Sequence, residues 1–167
     1  ESWYDIGVRR HGFHGASHKF IAERSAEILG RSDVAELVRE LYQEGPTKLE
    51  QPFRVISCHL GGSSSVTGIR NGVAIGTSMG FSPQSGVPQN NRVGDLDAGA
   101  LPYAAKVLGL TIEEASRQLS SESGLLGVSG VGNDMRDVRA AALGGNSDAQ
   151  IAVEVFVHEV RRWASSM

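Results

Sequence analysis

The chain has 167 residues, about the size of one ordinary domain. It is 40% hydrophobic and 21% charged with a formal net charge of −3, which argues against nucleic-acid binding through a basic surface. No apolar run approaches the roughly 20 residues of a membrane span, and no signal peptide is recognisable. The single cysteine, Cys58, cannot form an intrachain disulfide, so we expect a reducing, cytoplasmic location.

The segment from Arg9 to His18 is rich in glycine and histidine. Ser17 is a candidate N-cap for a helix over about residues 18–29, and His14 then lies on a loop just before a helix N-terminus, where anions are favoured. The expected apolar face of this helix consists of Ile21, Ala22, Ala26 and Leu29. His11, His14 and His18 also permit a zinc interpretation. Structural histidines are the simpler one, because glycines break any shared helical face and no cysteine or carboxylate completes a ligand set.

A second helix is predicted after Asp33, which can act as its N-cap. Residues at helical spacing form its apolar face, namely Val34, Leu37, Val38 and Leu41. We expect Gly45-Pro46 to end the helix, and we assign it to packing or an interface.

The stretch from Phe53 to Ser78 predicts three strands. Phe53, Val55 and Ile56 are typical of a buried strand, and Asn71-Gly72 between two further apolar runs is a strong signal for a type I′ hairpin. Cys58 in the first strand is interpreted as a small buried core residue. A thiol nucleophile paired with His59 is disfavoured, because adjacent strand residues point to opposite faces.

The loop after the first strand, Gly61-Gly62-Ser63-Ser64-Ser65, combines glycines with hydroxyls. Glycines allow the backbone to approach a ligand closely, and successive N–H groups can surround an anion such as phosphate. By itself this signal is weak, because most such loops are ordinary turns.

A long loop, residues 76–97, follows the third strand, and loops of this length in a compact domain are usually functional or disordered. It carries Arg92, whose planar guanidinium can bind a carboxylate or a phosphate. An equally good interpretation pairs Arg92 with Asp95 or Asp97 as a structural staple of the loop.

The remainder predicts helices and one more glycine-rich loop. We expect helices over about residues 98–108 and 112–120, the second opened by a capping box at Thr111, and a loop over residues 123–137. A last helix is expected from Ser147, again with a capping box, to about Trp163. Its expected buried face consists of Ile151, Val155, Val157 and Val160. An α/β protein would next return to the sheet with a strand, so we expect the chain to be incomplete.

Four of these segments together resemble the acetate/propionate kinases of the actin-like ATPase superfamily. GFHGASH (12–18) is similar to that family's GFHGTSH, and SCHLGGSSS (57–65) is similar to CHLGNGSS. GTSMGFSP…NNRVGDLD (76–97) resembles GTSMGFTP…GTRSGDLD, and SGLLGVSGVGNDMRD (123–137) resembles SGLLGISG-x-SSDMRD. The motifs occur in family order and cover nearly the whole chain.

The resemblance implies a ribonuclease H-like α/β fold, with a mixed sheet and flanking helices, incomplete at both ends. It also implies transfer of a phosphoryl group from ATP to acetate or propionate, giving an acyl phosphate and ADP, with Mg²⁺ as cofactor. His14 and Arg92 correspond to the residues that stabilise the transition state. The residues corresponding to the ATP phosphate loop are His59, Leu60, Gly61, Gly62 and Ser63. Those beside the adenosine are Asp134, Met135 and Arg136. A homodimer is implied as well.

Two departures from the family pattern concern the loops. Gly62-Ser63 replaces the family's Asn-Gly, which removes a side-chain amide from the phosphate loop. Asn90-Asn91 replaces Gly-Thr and Val93 replaces serine, changes that bear on the acyl pocket. The family's N-terminal phosphate motif and catalytic aspartate, and its later GIGEN-type loop and magnesium-linked glutamate, are not in this sequence. We therefore expect the isolated chain to be inactive, and a non-catalytic nucleotide-binding module is the alternative function.

Overall fold

The computed structural model describes residues 2–40 and 47–167, and within them helices flank a small sheet. The helices are α1 (Ser2–Asp5), α2 (Gly15–Ile28), α3 (Ser32–Arg39), α4 (Ala100–Leu108), α5 (Ile112–Ser121), α6 (Gly124–Ser129), α7 (Met135–Leu143) and α8 (Ser147–Ser166). The strands are β1 (Arg54–Leu60), β2 (Ser64–Arg70) and β3 (Val73–Thr77). The α/β class is as expected. The expected mixed sheet is represented, within the described residues, only by antiparallel pairs in the order β1-β2-β3.

The predicted hairpin between β2 and β3 is confirmed. Asn71 and Gly72 both have positive φ, 50° and 84°, as a type I′ turn requires. A Cβ on Gly72 would lie 2.6 Å from Cγ2 of Val38, so the close approach of α3 also requires glycine here. Asn71 Oδ1 accepts a hydrogen bond from the Phe53 N–H at 2.8 Å, which fixes the hairpin against the start of β1.

One hydrophobic core joins α2 and α3 to one face of the sheet. Its buried members are Ala22, Ala26, Val34, Ala35, Val38, Phe53 and Ile69. The prediction that Ile21 and Leu29 belong to this face was wrong, since both are exposed. Small alanines instead allow α2 to pack closely on α3 and β1. Leu41, predicted for the apolar face of the second helix, and Gly45-Pro46, predicted to end it, lie outside the described residues.

The other face of β1 is largely open. Ile56, Cys58 and Leu60 are exposed, so the predictions of a buried Ile56 and a buried Cys58 were wrong. The sheet's outer face is approached by Met167, whose Cβ would lie 3.1 Å from a Cβ on Gly68. Because desolvation raises the pKa of the Cys58 thiol, a reactive thiolate is not favoured.

A second core is formed by α6, α7 and α8. Leu125, Val138, Ala149 and Ala152 are buried there, with Phe156 packed against them. The predicted buried face of the last helix was therefore wrong in register: Ile151, Val155 and Val157 are exposed and Val160 is half-buried. The alanine face of α8 fits closely against α6 and α7, which leaves the valine face uncovered by the described chain.

Three predicted helix caps were misplaced, whereas the capping box of α5 is confirmed in full. The Ser17 hydroxyl lies inside α2 and hydrogen-bonds the ring of His59 instead. Both Asp33 oxygens are held by Arg31, and α3 begins one residue earlier. The N-cap of α8 is Asn146, whose side chain accepts from the Ala149 N–H at 2.9 Å.

Candidate active site

His14 is held at the N-terminus of α2 by contacts on both sides. It is the N-cap residue and has φ 60° and ψ 30°, a left-handed conformation uncommon for a residue other than glycine. The preceding segment is anchored to the long loop, where Arg10 donates to the Met79 carbonyl at 3.1 Å and the His11 N–H donates to the Gly80 carbonyl at 2.9 Å. This anchoring directs the His14 ring towards β2, where its Nδ1 hydrogen-bonds Ser65 Oγ at 2.8 Å.

Three imidazoles converge at this position. The rings of His14 and His59 stack with centroids 3.9 Å apart, and His18 lies 6.3 Å and 6.4 Å from them. His11 is not part of the cluster; its ring lies between Phe13 and Phe81. The zinc interpretation of His11, His14 and His18 therefore has no geometric support, and the described residues contain no group of three or more metal-ligating side chains placed for an ion.

The electrostatics favour neutral rings for His14 and His18. Burial lowers the pKa of His14, and the neighbouring His59 and Arg92 charges lower it further. Burial also lowers the pKa of His18, with smaller contributions from His14 and His59. Both rings are consequently neutral near pH 7.

Arg92 points at the Gly/Ser loop (residues 61–63). Its Nη1 donates to Ser63 Oγ at 3.1 Å and lies 3.3 Å from Gln89 Oε1. Neither candidate staple partner is used by Arg92. Asp95 accepts from the Gly86 N–H and pairs with Arg162, and Asp97 accepts from the Gly99 N–H. Arg92 Nη1 also lies 3.4 Å from the Pro83 carbonyl oxygen, so the predicted aspartate staple is absent while Arg92 still contacts its own loop. Its role in binding a ligand stays a prediction.

Gln89 links the Gly/Ser loop to the long loop, a role that sequence reasoning missed. Its side chain is buried, with the residue only 1% exposed. Oε1 accepts from Ser63 Oγ at 2.8 Å and from the Ser64 N–H at 3.1 Å, while Nε2 donates to the Pro83 carbonyl at 2.8 Å. No local pattern marks such a glutamine, because its partners are distant in sequence.

The Gly/Ser loop itself offers free donors. Within the described chain, the backbone N–H groups of Gly62 and Ser63 donate no hydrogen bond, so both are available to a ligand oxygen. Asn90 Nδ2 lies 3.6 Å from the position that a Cβ on Gly62 would take. Leu60 can contribute only its backbone, since its side chain is exposed on the outer face of the sheet.

The segment 123–137 was expected to be a loop, but it contains α6 and the start of α7. Gly124 has φ 61°, and a Cβ there would lie 2.0 Å from the Gln89 carbonyl oxygen. The first N–H groups of α6 donate to the long loop, from Leu125 to Gln89 and from Leu126 to Asn90, both at 2.8 Å. These carbonyls accept the hydrogen bonds that a capping side chain would otherwise accept, and they hold α6 against the turn that carries Arg92.

Asp134, Met135 and Arg136 lie apart from this cluster. Asp134 is the N-cap of α7 and accepts from the Arg136 N–H at 2.8 Å, and the Arg136 side chain lowers the pKa of Asp134 to about 2. The Arg136 side chain is well exposed and Asp134 is half-buried, while Met135 packs on the second core. In the described residues, no hydrogen bond joins these residues to His14, Arg92 or the Gly/Ser loop.

A cavity of about 430 Å³ opens beside the His14 segment. Its lining includes Phe13, His18, Thr67 and the β3 strand. His14, Ser63 and Arg92 do not line it, so it lies beside His18 and β3, away from the Gly/Ser loop.

These features define an α/β protein with a candidate anion site built from imidazole, guanidinium, hydroxyl and backbone N–H donors. The sequence matches the acetokinase family over residues 1–167. It is 39% identical over 166 residues to an acetate kinase of Geobacillus sp. (strain WCH70), covering 99% of this chain and 38% of that protein. It is 43% identical over 159 residues to a propionate kinase of Escherichia fergusonii, covering 95% and 35%. The chain belongs to the acetokinase family.

Solved structures agree with this assignment and confirm the α/β fold class implied by the resemblance. The crystal structure of Porphyromonas gingivalis acetate kinase matches with a TM-score of 0.84 and 32% identity, covering 99% of this chain and 37% of that one. A propionate kinase from Francisella tularensis matches with a TM-score of 0.82 and 34% identity, covering 98% and 38%. The chain thus spans less than two fifths of the length of these relatives. No helix in the described ranges has the length and apolarity needed to cross a bilayer.

Proposed function

We propose that this chain forms the phosphoryl-binding part of a kinase that transfers phosphate between ATP and a short carboxylate, acetate or propionate. The observation that carries the proposal is that His14 and Arg92 both contact the short stretch where the Gly/Ser loop joins β2. His14 hydrogen-bonds Ser65 in β2, and Arg92 hydrogen-bonds Ser63 in the Gly/Ser loop. The N–H groups of Gly62 and Ser63 in that loop have no partner within the described chain.

This arrangement suits in-line phosphoryl transfer. The negative charge of the migrating group spreads over its equatorial oxygens, and catalysis depends on positioning and charge stabilisation. Arg92 supplies the fixed positive charge that must separate an anionic phosphate from an anionic carboxylate. His14 donates a hydrogen bond beside it, and the backbone of residues 59–63 holds the ATP phosphates.

The adenosine end of ATP is assigned to Asp134, Met135 and Arg136 at the start of α7. This assignment rests on family correspondence and on one link in the fold: α6, which precedes α7, is hydrogen-bonded to the turn carrying Arg92. The two parts of the proposed nucleotide site are therefore joined through α6.

The residues present do not fit a magnesium site. Mg²⁺ prefers carboxylate and other oxygen ligands, whereas the donors that converge here are imidazole, guanidinium, hydroxyl and N–H groups. The described residues also offer no set of three or more metal-ligating side chains. We therefore assign no magnesium ligand to this chain.

The test is acyl phosphate formation by the full-length protein. We expect His14→Ala and Arg92→Ala each to lower kcat by about 10²–10³-fold, the usual value of one preorganised donor, with modest change in KM for ATP. His158→Ala and Arg24→Ala, which remove exposed side chains on α8 and α2, are the matched controls. Wild-type rates in either site variant would remove that residue from the proposed machinery.

A non-catalytic nucleotide-binding module is the alternative, favoured by the lack of carboxylates among the converging donors. Calorimetry with ATP on the isolated 167 residues distinguishes this chain from a purely structural one. We expect binding without turnover, and acyl phosphate formation by the isolated chain would contradict that expectation.

A further inference from the structure

A buried chain of hydrogen bonds leads from β1 to His14. Ser57 Oγ lies 2.8 Å from His18 Nδ1, His18 Nε2 lies 2.8 Å from Ser65 Oγ, and Ser65 Oγ lies 2.8 Å from His14 Nδ1. Ser57 is 2%, His18 4% and Ser65 0% exposed, so these three residues are shielded from water.

The number of available hydrogens restricts which group donates in each of these three hydrogen bonds. Each hydroxyl and each neutral imidazole carries one hydrogen, so two serines and two histidines bring four hydrogens to three links. A neutral histidine donates from one nitrogen and accepts at the other. The two links of His18 must therefore point the same way, whereas Ser65 can either donate to one ring or accept from both. Three arrangements follow, and each leaves one hydrogen over: on His14 Nε2 if all links point towards His14, on Ser57 if all point away from it, and on Ser65 if Ser65 accepts from both His18 and His14.

The three arrangements leave different groups without a partner. If the links point away from His14, the leftover hydrogen is on Ser57, a buried hydroxyl that has no second hydrogen bond in the described chain. Thr67, its cross-strand neighbour, does not serve as the acceptor, because Thr67 Oγ1 has no hydrogen-bond partner. If Ser65 accepts from both rings, the leftover hydrogen is on Ser65, a fully buried hydroxyl with no further partner in the described chain. If the links point towards His14, every buried hydrogen is used and the leftover one is on His14 Nε2. An unsatisfied buried donor is costly, so the direction towards His14 is favoured.

We propose that Ser57, His18 and Ser65 are positioning residues that set the tautomer of His14, placing its proton on Nε2. The ring can then present an N–H to a phosphoryl oxygen while remaining neutral. The inference rests on the proposed function only for the identity of that acceptor; the tautomer itself follows from the hydrogen-bond chain.

The low pKa of His14 makes the tautomer important. A cationic imidazole has an N–H on both nitrogens and needs no selection, whereas a neutral one donates from Nε2 in only one tautomer. Burial and the charges of His59 and Arg92 lower the pKa of His14, so the neutral form predominates near pH 7. In this role His14 donates a hydrogen bond and transfers no proton, so it needs no reprotonation during turnover.

The experiment is ¹⁵N NMR of the histidine rings in the full-length protein at pH 8, together with kinetics. We expect His14 to show a protonated Nε2 and a bare Nδ1. Ser65→Ala and Ser57→Ala are expected to give mixed tautomers, and Ser65→Thr to keep the wild-type tautomer. Thr67→Val, which removes a buried hydroxyl on the same sheet face that makes no hydrogen bond, is the matched control and should change nothing.

The kinetic expectation is a fall in kcat of roughly fivefold in Ser65→Ala, the value of one hydrogen bond, with KM for ATP unchanged and recovery in Ser65→Thr. A wild-type His14 protonated on Nδ1, or an unchanged tautomer in Ser65→Ala, would overturn the inference. If the tautomers behave as expected but the protein makes no acyl phosphate, the proposed function fails while the tautomer assignment stands.

Discussion

At the residue scale, the site depends on side chains whose partners are far away in sequence. His14 meets Ser65, Arg92 meets Ser63, and Gln89 joins two loops. A second feature at this scale is the position of one asparagine side-chain amide, which this chain carries on a different loop from the family pattern. Where the family pattern given above has asparagine at position 62 and glycine at position 90, this chain has Gly62 and Asn90, and Asn90 Nδ2 lies 3.6 Å from the position that a Cβ on Gly62 would take.

The role of the Asn90 amide can be tested by removing it and then placing an asparagine at position 62. Asn90→Gly is expected to raise KM for ATP about tenfold, the value of a hydrogen bond to a charged group, because it removes a donor beside the Gly/Ser loop. Adding Gly62→Asn should restore the wild-type value, and Asn91→Gly serves as the control for added backbone flexibility. An unaltered KM in Asn90→Gly would show that its amide does not contact the phosphates.

At the scale of elements, α6 fixes the turn that carries Arg92. The N–H groups of Leu125 and Leu126 donate to the carbonyls of Gln89 and Asn90, an arrangement that only a residue without a Cβ permits at position 124. The helix is short, and its stability depends on this docking and on the second core more than on its own sequence. Displacement of α6 should therefore disturb the Arg92 turn as well.

Gly124→Ala tests this coupling. The new Cβ would overlap the Gln89 carbonyl and the residue would retain a positive φ, so we expect a loss of at least about 2 kcal/mol in the free energy of unfolding. Gly132→Ala is the control, since a Cβ there meets nothing within 4 Å. Denaturant titration compares the two variants, and equal stability would contradict the proposed docking of α6.

At the scale of the whole molecule, parts of the fold could be read from the sequence where the cause is local. The Asn71-Gly72 turn and the Thr111 capping box require only neighbouring residues, and both were predicted correctly. The predictions that failed depend on tertiary contacts. Ser17 does not cap α2 because His59 uses its hydroxyl, and Cys58 is exposed because little of the described chain covers the outer face of β1.

The same distinction applies to the candidate site. Glycine, histidine and arginine in recognisable motifs pointed to His14, Arg92 and the Gly/Ser loop. Gln89 and the buried partners of His14 could not be found this way, because a glutamine or serine gains its role only from side chains that folding brings to it. The contacts of Arg92 with Ser63, Gln89 and Pro83 likewise could not be found from the sequence.

The buried histidines predict how the stability of the whole molecule depends on pH. The pKa values of His14 and His18 are lowered in the folded state, so below about pH 6.5 the unfolded chain binds protons that the folded chain does not. Stability is therefore highest above that pH and falls as the pH drops towards the lowered folded-state values, by at most about 1.4 kcal/mol per pH unit for each histidine. Denaturant titrations between pH 7.5 and 5.5 measure this slope. We expect His18→Gln to flatten this slope, and the same slope in His18→Gln would contradict the assignment.

The central claim is that His14 and Arg92 act on one phosphoryl group held at the Gly/Ser loop. The most direct measurement is a crystal structure of the full-length protein with ADP and an acyl phosphate bound. We expect His14 Nε2 and the Arg92 guanidinium each to lie about 3 Å from oxygens of the same phosphoryl group, with the N–H groups of Gly62 and Ser63 directed at the bound phosphates. A bound phosphoryl group beyond hydrogen-bond distance of either side chain would contradict the account.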